Sequence, residues 1–418
     1  MMSAEVISIG ALLVMFVVGT VLPINLGILA FVATFVVGTA SLGLTQEEIF
    51  EGFPVDLFVT IVGVTYLFSV ARRNGTIDWL VTAGVRMVRG KVALIPWVLF
   101  LVAALLTAFG TFTPAAVALL VPIGMNFAHR YKLNPLVVGM MVISGGHAGA
   151  FSPLAVSGAL VLGVVDKTSL HVSPVTLFTA SFVINLVLSA VTYALLAKRP
   201  APLAEDTDAT PEDPDLAVSG MPDWRQWLTL GALVVLVVGA LGFHLEIGLL
   251  ALAAGALLAL VDMKRQEEAV DGISWSTLLL VAGMMTYIAM LEKAGIIENI
   301  SEHAAGLGAP LFVALLLCFT VAITSAFASS TAIITAIIPV AVPLLLSSHL
   351  NAAGLIAALA VSTTIVDTSP FSTNGALVLS NARGVDSQRF YRQVISYTGG
   401  IVALGPVVAW GALVLPWS

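Results

Sequence analysis

The chain has 418 residues, 59% of them hydrophobic and only 10% charged, with a formal net charge of −7. Average soluble domains carry about 25% charged residues, so this composition excludes a soluble enzyme and a basic nucleic-acid-binding domain and leaves a polytopic membrane protein. The one cysteine, Cys318, excludes an intramolecular disulfide and is expected to pack in an apolar run.

A spanning helix needs about 20 apolar residues. In chain order, the first stretches that qualify are 5–22, 24–43 and 55–71. The first follows Glu5 and lacks a cationic leader region, so it reads as a retained helix. Residues 72–91 read as an amphipathic helix at the cytoplasmic surface, its Arg and Lys setting topology and meeting lipid headgroups. Residues 93–128 are apolar but broken at 109–115, which reads as a re-entrant hairpin. A polar, non-helical tip at membrane depth is tolerated inside protein or against a watery cavity. An interrupted span at 134–165 and a span at 174–197 close the first half.

Residues 200–222 carry Pro200, Pro202 and an acidic run from Glu205 to Asp215, and read as a cytoplasmic tether. The second half gives spans at 227–242, 246–262 and 274–291, a hairpin at 310–346 broken at 326–332, an interrupted span at 352–380 and a last span at 394–415.

The halves repeat. Ser152-Pro153 and Gly158-Ala159-Leu160 return as Ser369-Pro370 and Gly375-Ala376-Leu377, about 220 residues later. Gln46-Glu47-Glu48 returns as Gln266-Glu267-Glu268, and Gly52, Gly63, Gly75 and Pro122 return as Gly272, Gly283, Gly295 and Pro339. Each half has five crossings and one hairpin, so the second must be inverted. With the loop after the third span cytoplasmic, all 17 Lys and Arg lie inside except Lys167 and Lys293. Both termini then face outward across a plasma (inner) membrane.

Paired Gly/Pro-broken segments in corresponding halves point to a secondary transporter's binding site. Here they offer hydroxyls and amides. Thr111, Thr113, His147, Ser157, Ser330, Thr331, Thr373 and Asn374 are the candidate substrate contacts. Thr113, Ser152, Ser329, Asp367, Ser369 and Ser372 are the candidate cation-binding or coupling residues. Several oxygen ligands suit Na⁺. Helix halves beginning after Thr113, Ser157, Ser330 and Asn374 aim positive dipole ends at an oxyanion. No Lys or Arg falls at membrane depth, so dipoles and co-bound cations must balance the anion. Uptake against a negative-inside potential opposes about 2.3 kcal/mol per charge per 100 mV and needs coupling. Each hydroxyl could instead bond only its own backbone. His147 could be a packed histidine, a substrate contact or a proton carrier. Asp367 could bind a cation, carry a proton or cap a helix. Met140-Met141 and Met284-Met285 read as packing residues.

With these features the chain resembles the ion-transporter superfamily. Within it, it is similar to the divalent anion:sodium symporters and most of all to the malonate/dicarboxylate carriers. Gly52-Phe-Pro-Val-Asp-Leu-Phe58 through Asn74-Gly75 looks like the malonate-carrier amino-terminal region. The resemblance implies an all-α elevator transporter, homodimeric through its scaffold. It places scaffold halves at 1–92 and 223–305 and transport halves at 93–199 and 306–418. It also implies cation-coupled uptake, with Na⁺ or H⁺, of a small carboxylate such as malonate or another C3–C4 dicarboxylate. The symporters carry Ser-Asn-Thr at each hairpin tip, whereas here the tips read Thr111-Phe112-Thr113 and Ser329-Ser330-Thr331. This departure keeps another oxyanion open, such as sulfate, arsenite or citrate, moved by export or antiport. A membrane enzyme is disfavoured because neither HExxH nor GxSxG occurs. A channel would need a continuous polar lining. No cofactor is expected beyond the coupling ion.

Overall fold

The computed structural model describes residues 4–22, 24–86, 91–165, 170–198, 221–243, 245–261, 266–296, 310–327 and 330–417. Almost all of the acidic tether, Lys167 and Ser329 therefore lie outside the described residues. The first half comprises α1 (Ala4–Val21), α2 (Leu26–Ala40), α3 (Gln46–Phe50), α4 (Val55–Arg73), α5 (Thr76–Arg86), α6 (Ile95–Ala108), α7 (Thr113–Arg130), α8 (Pro135–Gly149), α9 (Val156–Val165) and α10 (Pro174–Leu196). The second comprises α11 (Trp224–Val237), α12 (Ile247–Val261), α13 (Gln266–Asp271), α14 (Trp275–Lys293), α15 (Pro310–Ser325), α16 (Ser330–Ser347), α17 (Ala352–Thr364), α18 (Thr373–Asn381) and α19 (Ser387–Leu413). Among the described residues α4, α10, α14 and α19 are each long and apolar enough to cross a bilayer, as expected of a membrane-integral protein.

Local chemistry sets the helix ends. Asn25, Asn134, Asn351 and Asp386 each cap the helix that follows, accepting a backbone N–H. The last cap starts α19 well before residue 394, where apolarity alone begins it. Gly75 and Gly295 follow α4 and α14 with φ of 77° and 71°, which lets the chain leave each helix in the left-handed region. Thr45 and Glu48 form a capping box on α3. That bonding, aided by Lys293, holds the Glu48 carboxyl below its ordinary range. Two boundaries differ from the sequence reading. The second arm of the first hairpin runs on as α7 to Arg130, past the expected end at 128 and with Pro122 inside it. After Val237 the expected helix widens into a π turn, Val238–Gly242.

Two helix pairs join the halves. Asn25 bonds to Ser276 at the start of α2 and α14, Gly27 meets Gly283 further along, and Gly38 meets Met290, so these helices run parallel. Thr60 bonds to Glu246, Gly63 meets Gly248, and Gly255 meets Tyr66, so α4 and α12 also run parallel. At each crossing a glycine lets the two backbones touch. The hairpins and the last span of each half pack around α8 and α17: α6, α7 and α10 lie on α8, and α15, α16 and α19 lie on α17. Each hairpin also reaches the other half, with α7 against α18 and α16 against α9.

Candidate functional site

The interruptions occupy 150–155 between α8 and α9 and 365–372 between α17 and α18. In the second, Ser372 caps α18, accepting from Gly375 N–H at 3.2 Å, while its hydroxyl lies 2.8 Å from the carbonyls of Asp367 and Ser369. In the first, Ser152 Oγ donates to Ala108 O and accepts from Leu154 N–H at 3.1 Å. Ser369 accepts from Phe371 N–H at 3.2 Å in the same way. Gly158 and Gly375 are pressed on the carbonyls of Ser152 and Ser369, where a Cβ would lie 2.1 and 2.0 Å away. The Ser372 cap starts α18 at Thr373, and α9 starts at Val156, so these helix N-termini begin two residues earlier than the sequence suggests.

Both hairpin tips and both interruptions border one cavity of about 860 Å³. Thr113, His147, Ser157, Ser330, Thr331, Asp367, Ser372 and Thr373 line it. The N-terminal turns of α7, α9, α16 and α18 therefore all reach it, presenting partial positive charge. Asn374, Ser152 and Ser369 stand behind the wall, all buried. Asn374 donates to Asp367 Oδ2 at 2.9 Å, and the same oxygen is 3.4 Å from His147 Nε2. Ser325 Oγ lies 3.0 Å from Ser330 Oγ and 2.8 Å from Thr363 O, tying the second tip to α17. Ser181 on α10 donates to His147 O at 2.9 Å. Thr111 lines a second cavity, of about 450 Å³, with Arg72 and Arg73. Phe112 borders both cavities and separates them.

Sequence reasoning missed the far wall. Asn25, Ser276 and Thr277, at the start of α2 and α14, line the cavity opposite the tips, while Phe327 at the second tip and Phe371 in the second interruption stack on each other at its edge. A capping Asn at 25 and the hydroxyl run from Ser274 to Thr277 were visible signals, but nothing local says that they meet. No Lys or Arg lines the main cavity among the described residues.

Comparison with known proteins bears on the family. Residues 2–150 match the model of the dicarboxylate carrier protein MatC N-terminus. The amino-terminal third is MatC-like. The match runs from α1 to the first interruption and takes in the first hairpin and His147, so the resemblance read from residues 52–58 and Asn74-Gly75 holds there. Uncharacterized transporters of Mycobacterium bovis and Mycobacterium tuberculosis are each 22% identical over 280 residues. The alignment covers 65% of this chain and spans 64% of the length of those curated relatives. The crystal structure of the Alcanivorax borkumensis YdaH transporter superposes with a TM-score of 0.61 at 17% identity, covering 88% of this chain and 87% of that one. That likeness shows the fold. The family and the structural neighbour are transporters, not enzymes.

Proposed function

We propose that the chain is a secondary transporter that takes up a small carboxylate, such as malonate or another C3–C4 dicarboxylate, coupled to a cation. One observation carries the reading: both hairpin tips and both helix interruptions meet at a hydroxyl-lined cavity with four helix N-termini and, among the described residues, no Lys or Arg. Such a site favours a carboxylate electrostatically without trapping it in a strong ion pair. The MatC-like region and the transporter relatives support the same class.

The parallel pairing of α2 with α14 and α4 with α12 supports two inverted repeats. Successive spans run antiparallel, so the second helix of one half can lie parallel to the third of the other only if the halves are inverted. We assign α1–α5 and α11–α14 to a scaffold and the hairpins, broken helices, α10 and α19 to a moving transport unit. With the basic loops inside, Asn25 and Ser276 lie toward the cytoplasm, so this cavity is the inward-facing one. Homodimerisation through the scaffold belongs to the same proposal.

Purified protein in liposomes tests the reading. Labelled malonate or succinate accumulates above its external concentration when an inward cation gradient is imposed. Downhill equilibration alone marks a channel, and no movement of either dicarboxylate overturns the substrate class.

A further inference from the structure

His147 and Asp367 are the only titratable side chains lining the cavity among the described residues, and they come from opposite halves of the chain. His147 sits in the last turn of α8, and Asp367 in the break between α17 and α18. Their Nε2 and Oδ2 atoms are 3.4 Å apart, and Asn374 Nδ2 holds the same Oδ2 at 2.9 Å. His147 Nδ1 and Asn374 Oδ1 are buried without a hydrogen-bond partner.

We propose that His147 and Asp367 form a proton-carrying pair, so that the coupling ion is H⁺ and not Na⁺. The inference rests on the carboxylate-transport reading and names its coupling ion. The donor set speaks against Na⁺. A hard cation asks for several free oxygens, whereas Asp367 Oδ2 is held by Asn374 Nδ2 and faces His147 Nε2, and the Ser330 and Ser372 hydroxyls beside the same carboxyl are turned to it as donors. Three of the candidate cation-binding hydroxyls are already engaged within the breaks. Ser152 bonds Ala108 O, Ser369 accepts from Phe371 N–H, and Ser372 caps α18.

The surroundings leave the pair to balance its own charge. Among the described residues, α2, α6, α9, α16, α17 and α18 carry no titratable side chain. Tyr397 on α19 is bonded to Thr192 on α10, Tyr287 on α14 donates to Ser8 O, and Cys318 on α15 is buried. Tyr193 near the end of α10 donates to Ala93 O. On α7 the ionisable residues are His129 and Arg130, in its last turn. On α19 Arg389, Tyr391 and Arg392 stand at its start. Glu292 and Lys293 stand at the end of α14, and Glu5 at the start of α1.

With Nε2–H directed at an ionised Asp367, Nδ1 keeps a free lone pair and the pair bears one negative charge. A proton entering from the cavity binds Nδ1 and makes the pair neutral. A second, on Asp367, makes it positive. A substrate anion arriving beside the pair is repelled by the unprotonated form and favoured by each added proton. Linkage then requires the proton to tighten substrate binding by the same factor as substrate tightens proton binding. Release of both on the cytoplasmic side returns the pair to its starting charge.

The test uses full-length protein in liposomes loaded with a pH-sensitive dye, in Na⁺-free buffer, with malonate or succinate as probe. The lumen acidifies as the dicarboxylate enters, and an inward H⁺ gradient alone drives accumulation. Accumulation that needs Na⁺ and leaves the lumenal pH unchanged overturns the pair but keeps the transporter. No transport under any gradient overturns the transporter and the pair with it. Asp367→Asn and His147→Gln, each with an unchanged elution profile in detergent, cut acidification by about tenfold or more, the scale of an ordinary coupling factor. Undiminished acidification in both variants overturns their role. Solubilised wild-type protein gives an independent readout, since malonate binding takes up protons from a weakly buffered solution and Asp367→Asn lowers that uptake.

Discussion

Gly375→Ala lowers carboxylate uptake by the reconstituted protein by about a hundredfold, while Gly411→Ala leaves it intact. A Cβ at 375 would stand 2.0 Å from Ser369 O, 2.5 Å from Ser369 C and 2.7 Å from Thr368 O. All three are backbone atoms, so no side chain can turn aside. The chain must open the break, and opening it pulls Ser372 from the N-cap of α18 and moves Thr373 and Asp367 at the cavity wall. Overpacking of this kind costs about 1–3 kcal/mol, and the displaced wall lowers uptake by about a hundredfold, the scale of a 1 Å misplacement. Gly411, on α19, has nothing within 4 Å of its missing Cβ. Initial uptake rates of the two variants, normalised to folded protein, check the prediction. Equal rates would mean that the break is not part of the transport machinery.

Gly283→Ala lowers thermal stability sharply where Gly231→Ala does not. The added Cβ would lie 2.0 Å from Gly27 O, and Gly27 is itself pressed on α14, 1.9 Å from Leu279 O to its own missing Cβ. The α4–α12 crossing has the same form, with Gly63 against Gly248 O at 2.2 Å and Gly248 against Thr60 N at 2.6 Å. Separating α2 from α14 by even an ångström strips contacts from Met284, Tyr287 and Met290, all buried in the cluster around α2. The expected loss is about 1–3 kcal/mol, read as a lower melting temperature in detergent. Gly231 faces open space and serves as the control. A melting temperature unmoved by Gly283→Ala would contradict the close crossing.

The glycines and serines that stood out in the sequence prove informative for physical reasons. Gly63 and Gly283 recur because backbones touch there, and Gly75 and Gly295 recur because each leaves a helix with positive φ. Ser152 and Ser369 recur because each accepts a backbone N–H inside a break. The breaks themselves were legible because Pro and Gly clustered with hydroxyls in an apolar run disfavour a continuous helix. The approach of His147 to Asp367 was not legible. It joins residues 220 positions apart through the packing of α7 on α18 and α10 on α17, and no local pattern encodes a meeting between halves. Asn25 and Ser276 escaped notice for the same reason. Asn374 read as a substrate contact because it opens a helix after a break. In the structure its amide donates to Asp367 Oδ2.

Binding of the dicarboxylate in the cavity between the two hairpin tips is central to the proposed function. The native thiol, Cys318, is buried, so a cysteine introduced at Thr373, exposed on the cavity wall, can be followed by maleimide labelling against a low background. A cysteine at Met221, 92% exposed and remote from the cavity lining, controls for reagent access. Saturating malonate or succinate slows labelling at 373 and leaves labelling at 221 unchanged. Equal labelling at 373 with and without dicarboxylate, in a protein that still transports it, would place the binding site elsewhere.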